Sequence, residues 1–151
     1  MLVHNAGLVV EAPFGGLDFD AMQNEYAVNA LAPLRLTQAL LPLLQAGGRI
    51  GLVTSRVGSL SENGSGGLYG YRMSKAAANM AALNLSHELK ASGIAVMALH
   101  PGSVRTQMTA GLSDQATVGS STAAAMKIRA GRVSKTSPAC VSHWRCRSKS
   151  F

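Results

Sequence analysis

The sequence predicts an α/β fold in which a parallel sheet is flanked by helices. Two observations carry that expectation. Short segments of near-continuous apolar character read as buried strands, and stretches of helical periodicity alternate with them. The order is strand, helix, strand, helix, strand, helix. Crossovers of this length return the chain to the same end of a sheet, as parallel pairing requires.

The first element is Met1-Leu2-Val3, an apolar strand end that runs into the turn Asn5-Ala6-Gly7. Asp18 and Asp20 offer helix caps, and apolar positions from Ala27 to Leu44 support helix across residues 21–45. Pro33 interrupts this stretch. Proline has no amide hydrogen and clashes with the carbonyl four residues back, so the helix should loosen or kink and leave the main-chain carbonyl of Asn29 unpaired. Gly47-Gly48 ends the helix, and residues 49–54 read as a central strand. A Gly/Ser-rich loop spans 55–70, and an Ala-rich helix follows over 71–91 until Gly93 breaks it. Residues 94–99 form the next buried strand, closed by His100-Pro101-Gly102. A last helix is expected over 117–130, stopping at Gly131.

Charge and composition narrow the function classes. The net charge of +7 is confined to one end: residues 1–126 hold seven basic and seven acidic groups, and residues 127–151 hold seven basic groups alone. A neutral body with a basic tail lacks the folded basic face of a nucleic-acid reader, so nucleic acid is not an expected partner. Cys140 and Cys146, with His143 between them, fall short of a four-ligand zinc site, and no metal is expected. No apolar run reaches membrane-spanning length, and no signal segment opens the chain. A cytoplasmic location is the simplest reading.

The residues with chemistry gather at strand ends, where α/β folds place their sites. Tyr71 and Lys75 are four apart on one helical face. A lysine ammonium beside a phenol favours the phenolate, so the pair should exchange a proton near neutral pH. Ser55 directly follows a strand, and its hydroxyl can donate to the same substrate oxygen. Ser59 and Ser61 are alternatives that lack this strand-exit position. Tyr69 has no lysine at i+4 and reads as a pocket wall.

These segments, Val53-Thr54-Ser55-Arg56-Val57-Gly58 and Tyr71-Arg72-Met73-Ser74-Lys75-Ala76-Ala77, resemble the core of the short-chain dehydrogenase/reductase family. Asn5-Ala6-Gly7 resembles the family's Asn-Asn-Ala-Gly motif, with His4 in place of the first Asn. Asn29 stands at the family's helix asparagine, and Pro101-Gly102-Ser103-Val104-Arg105-Thr106 resembles the motif after the sixth strand. The resemblance implies a partial Rossmann fold. It also implies an NAD(P)-dependent oxidoreductase that interconverts a small carbonyl and an alcohol. By that likeness Tyr71 is the acid–base group, and Lys75 lowers its pKa and binds the nicotinamide ribose. Ser55 polarises the substrate oxygen, and Asn29 holds a relay water with its main-chain carbonyl. Val104 and Thr106 contact the carboxamide, Pro101 and Gly102 shape the turn above it, and Asn5, Ala6 and Gly7 line the adenosine side.

Two departures shape the remaining expectations. Ser55 and Tyr71 are sixteen residues apart, longer than is usual in the family. The longer form, with Gly66-Gly67-Leu68-Tyr69-Gly70-Tyr71-Arg72, looks like the small carbonyl-reductase or C-factor-like subgroup. The family's Thr-Gly-x-x-x-Gly-x-Gly turn, which cradles pyrophosphate, does not occur among the 151 residues. The resemblance starts at the family's fourth strand, so residues 1–134 read as an N-terminally truncated domain. Residues 135–151 read as a basic, non-homologous or disordered tail. This chain alone is expected to bind NAD or NADP poorly and to turn over little. The alternative function is a silent fragment acting as an interaction module, since the helices near 21–45 and 71–91 resemble those that form the family's homodimer.

Overall fold

The computed structural model describes residues 1–102, 124–129 and 132–134. Its sheet has five strands in the order β1 (Leu2–His4), β2 (Arg49–Val53), β3 (Ala95–His100), β4 (Ala124–Arg129) and β5 (Arg132–Ser134). β1, β2 and β3 are parallel, with Val3 beside Gly51 and Gly51 beside Met97. β4 and β5 then run antiparallel. The helix expected over 117–130 is therefore overturned at residues 124–129, which form a strand. Met126 and Ile128 alternate with Lys127 and Arg129, a period of two that suits a strand. Pairing with β3 also gives ladder partners to backbone groups at its edge.

The first crossover contains α1 (Phe19–Tyr26), a π-helical turn (Ala27–Leu31) and α2 (Ala32–Leu40). Asp18 caps α1, its Oδ1 accepting from Ala21 N–H at 3.0 Å. The loosening expected from Pro33 takes the form of the π turn, in which Ala32 N–H bonds to Ala27 O, five residues back. Pro33 thus falls in the first turn of α2, where a missing amide hydrogen is tolerated.

The second crossover is α3 (Tyr69–Glu88). The chain enters it through Gly66, Gly67 and Leu68, all with positive φ. Leu68, at φ 48°, holds a left-handed conformation that disfavours a side chain by about 1–2 kcal/mol. α3 packs against α1, the π turn and β3. Its Ala78, Ala81 and Ala82 are buried and let these elements approach closely. Beneath them Ile50, Leu52, Val96, Ala98, Leu89 and Ile94 form the core. Burying each larger aliphatic side chain contributes about 1.5–3 kcal/mol. The core therefore anchors the strand ends that carry the site.

Candidate active site

Each of the three parallel strands ends on the same side of the sheet and delivers one predicted segment. Asn5, Ala6 and Gly7 follow β1, Ser55 follows β2, and Pro101 and Gly102 follow β3. Gly102 has φ 79°, a value that favours glycine at this turn. The exit from β2 is held twice by Thr54. Its N–H donates to Leu99 O at 2.8 Å, and its hydroxyl donates to Asn79 Oδ1 on α3 at 2.6 Å. Ser55 then adopts an extended conformation and caps a short 3₁₀ turn, accepting from Val57 N–H at 3.3 Å.

The structure brings Ser55, Tyr71 and Lys75 together. The Ser55 side chain acts on the Tyr71 phenol and favours its phenolate. Lys75 Nζ lies 5.6 Å from the Tyr71 ring centroid and donates to Val53 O at 3.0 Å. Lys75 is 3% exposed, and burial lowers its pKa from the ordinary lysine value. The Tyr71 phenol moves in the direction opposite to that expected from the ammonium alone. Burial raises its pKa first, the Ser55 hydrogen bond opposes this, and the charge of Glu25 raises it further. The physical reason is burial, which outweighs the Ser55 contribution, while the Lys75 ammonium donates to the Val53 carbonyl.

Asn29 is buried one layer behind. Its Oδ1 accepts from Leu8 N–H and its Nδ2 donates to Leu8 O, both at 2.8 Å. Nδ2 also donates to Ser74 Oγ at 2.8 Å, and Ser74 in turn donates to Tyr71 O at 2.8 Å. Asn29 thereby joins the loop after β1 to the helix turn that carries Tyr71. Val104 and Thr106 lie outside the described residues.

Four contributors escaped the sequence reading. Ser74 looks like an ordinary helix serine until its partners are known. A Cβ at Gly58 would come within 2.6 Å of the Lys75 carbonyl carbon, so this glycine permits the close approach of α3. Arg72 Nε donates to Gly66 O and Gly67 O, both at 3.1 Å, while its Nη2 donates to Ser65 Oγ at 2.9 Å. The long loop between Ser55 and Tyr71 is thus fastened to α3. Glu25, on α1, is buried, and one of its oxygens has no partner among the described residues. Of these, only Gly58 carried a signal, its place three residues beyond a strand exit. Ser59 and Ser61 hydroxyls lie 3.1 Å apart and pair with each other. Tyr69 lines a small cavity and packs against Phe14, with ring centroids 5.6 Å apart. Among the described residues no cluster of His, Cys, Asp or Glu has metal-binding geometry. No described helix is long and apolar enough to cross a membrane.

The family model for short chain dehydrogenases matches residues 1–117. The chain belongs to the short-chain dehydrogenase family. A relative, 1-hydroxy-2-glutathionyl-2-methyl-3-butene dehydrogenase of Rhodococcus sp. (strain AD45), is 50% identical over 106 residues, covering 70% of this chain and 47% of the relative. C-signal of Myxococcus xanthus is 46% identical over 111 residues, covering 72% of this chain and 67% of that protein. Among solved structures, NADPH-bound carbonyl reductase from chicken fatty liver superposes with a TM-score of 0.68 at 33% identity. The match covers 76% of this chain and 50% of that one. Carbonyl reductase Sniffer of D. melanogaster gives 0.66 at 34% identity, covering 69% and 48%. The chain thus spans about half the length of several of these family members.

Proposed function

We propose that this chain carries the acid–base half of an NAD(P)-dependent oxidoreductase that interconverts a small carbonyl and an alcohol. The observation that carries the reading is Lys75 Nζ lying 5.6 Å from the Tyr71 ring centroid and bonded to Val53 O at the end of β2, the strand that Ser55 follows. A nicotinamide, when bound, supplies or accepts the hydride. The described residues suit its ribose side. Lys75 Nζ has three donors, of which Val53 O takes one, and the Asn5–Gly7 and Pro101-Gly102 turns leave backbone at the same edge.

In reduction the substrate oxygen accepts hydrogen bonds from Ser55 and Tyr71. As the carbonyl carbon gains the hydride, the oxygen takes the Tyr71 proton, and solvent restores it to the phenol. In oxidation Tyr71 receives the alcohol proton instead. Ser55 stabilises the charge that develops on the oxygen. Asn29 fixes the Tyr71 turn through Ser74, and its main-chain carbonyl is the group we assign to a relay water serving Lys75. Val104 and Thr106 are assigned to the carboxamide. The test is NADH and NADPH binding, followed by consumption with a panel of small carbonyls. Carbonyl-dependent consumption supports the reading, and absence of both binding and turnover opposes it.

A second reading is an interaction module that forms a homodimer. Phe19 and Tyr26 on α1, and Met73 and Met80 on α3, are exposed pairs at seven-residue spacing. Each pair therefore lies along one helix face, and the two helices pack side by side.

A further inference from the structure

Glu25 is a buried acid to which the chemistry above gives no role. It lies near the end of α1 and is 1% exposed. Oε1 accepts from Val10 N–H at 2.8 Å, so the carboxyl fastens the loop after β1 onto α1. Oε2 is buried and has no hydrogen-bond partner among the described residues. A carboxylate in that position loses its hydration without a compensating donor, which favours the protonated form. Room for Oε2 comes from Gly70, where a Cβ would overlap Oε2 and lie 2.8 Å from Met22 Cγ. Gly70 immediately precedes Tyr71 in the first turn of α3. The cavity beside the carboxyl is lined by Val10, Leu17, Met22 and Tyr69, with Asp18 as its other acid, and among the described residues no Lys or Arg lines it.

We propose that Glu25 is a positioning residue for Tyr71: its carboxyl ties the loop after β1 to α1, seats the first turn of α3 against Gly70, and sets the field at the phenol through its own protonation. The inference rests on Tyr71 being the acid–base group of the proposed reaction. Among the described residues, the groups acting on Tyr71 are Ser55 after β2 and Glu25 on α1, with Lys75 on α3 beside its ring. Those beside Glu25 are Asp18 at the start of α1 and Tyr69 on α3. Burial raises the Glu25 pKa, and the ionised carboxylate raises that of Tyr71. Ionised Glu25 therefore adds to burial in keeping Tyr71 in its proton-donating form, the form that carbonyl reduction uses. Protonated Glu25 removes this bias.

The test is a nuclear magnetic resonance titration of the full chain, with ¹³C at glutamate carboxyls and at the tyrosine Cζ. It requires no turnover, so its failure and the failure of the proposed reaction are distinguishable. The expected result is a Glu25 midpoint above the ordinary carboxylate range, with the Tyr71 resonance shifting through the same midpoint. In E25Q, which keeps an oxygen for Val10 N–H, that step disappears and Tyr71 ionises at lower pH. The inference is overturned if Glu25 titrates in the ordinary range, or if Tyr71 ignores its titration. It is also overturned if folded E25Q leaves the Tyr71 ionisation unchanged. Should E25Q not fold, the wild-type titration alone decides.

Discussion

At Tyr71, burial and hydrogen bonding act on the phenol in opposite directions. Burial disfavours the phenolate, while Ser55 donates to it. Replacing Ser55 with Ala should therefore move Tyr71 ionisation to higher pH, read as the phenolate absorbance lost when Tyr71 is also changed to Phe. His4 makes a second test at this scale. Its ring Nε2 lies 2.9 Å from Thr37 Oγ1, both residues are buried, and burial lowers the histidine pKa. The unfolded chain then binds the extra proton more readily, so His4 contributes stability that is complete above its unfolded pKa of about 6.5. That contribution is lost as pH falls toward the lower folded value. Denaturant titrations at several pH values should show this slope in the wild type and a weaker one in H4N. The residue types at Ser55, Tyr71 and Lys75 were legible because strand exit and helical spacing specify their neighbours. The direction of the Tyr71 shift was not, because it depends first on burial by packed elements and then on groups such as Glu25, forty-six positions away in the sequence.

Between elements, the site is held by contacts that few sequence patterns announce. The Asn29 amide satisfies both backbone groups of Leu8 and reaches Ser74 on α3. Asn29→Ala should leave the part-buried Leu8 donor and acceptor without their side-chain partner and cost about 1–3 kcal/mol for each group that finds no water, measured by chemical denaturation. Gly58→Ala places a Cβ against the Lys75 and Ala76 backbone. Backbone cannot rotate away as a side chain end can, so a cost of about 1–3 kcal/mol is expected. The three parallel strands, the Pro33 irregularity and the break at Gly93 were all visible as patterns of apolar residues, proline and glycine. The strand at Ala124–Arg129 was misread because alanines suit a helix, while its pairing with β3 is a tertiary choice.

For the whole molecule, the exposed faces of α1 and α3 and the chemistry of the strand ends make separate claims. Light scattering of the eluting protein should give a dimer if those faces associate. M73E, which places a charge at an exposed position of α3, should then return a monomer. The chain covers about half the length of several family members. The tail over 135–151, Val104 and Thr106 lie outside the described residues. The central claim is that Tyr71 is the proton donor of a nicotinamide-dependent reduction. Its most direct measurement compares carbonyl-dependent NAD(P)H consumption by the wild type and by Tyr71→Phe, with circular dichroism confirming an unchanged fold. The account predicts that wild-type turnover falls by about 10²–10⁴-fold; a Tyr71→Phe protein that keeps the wild-type rate would contradict it.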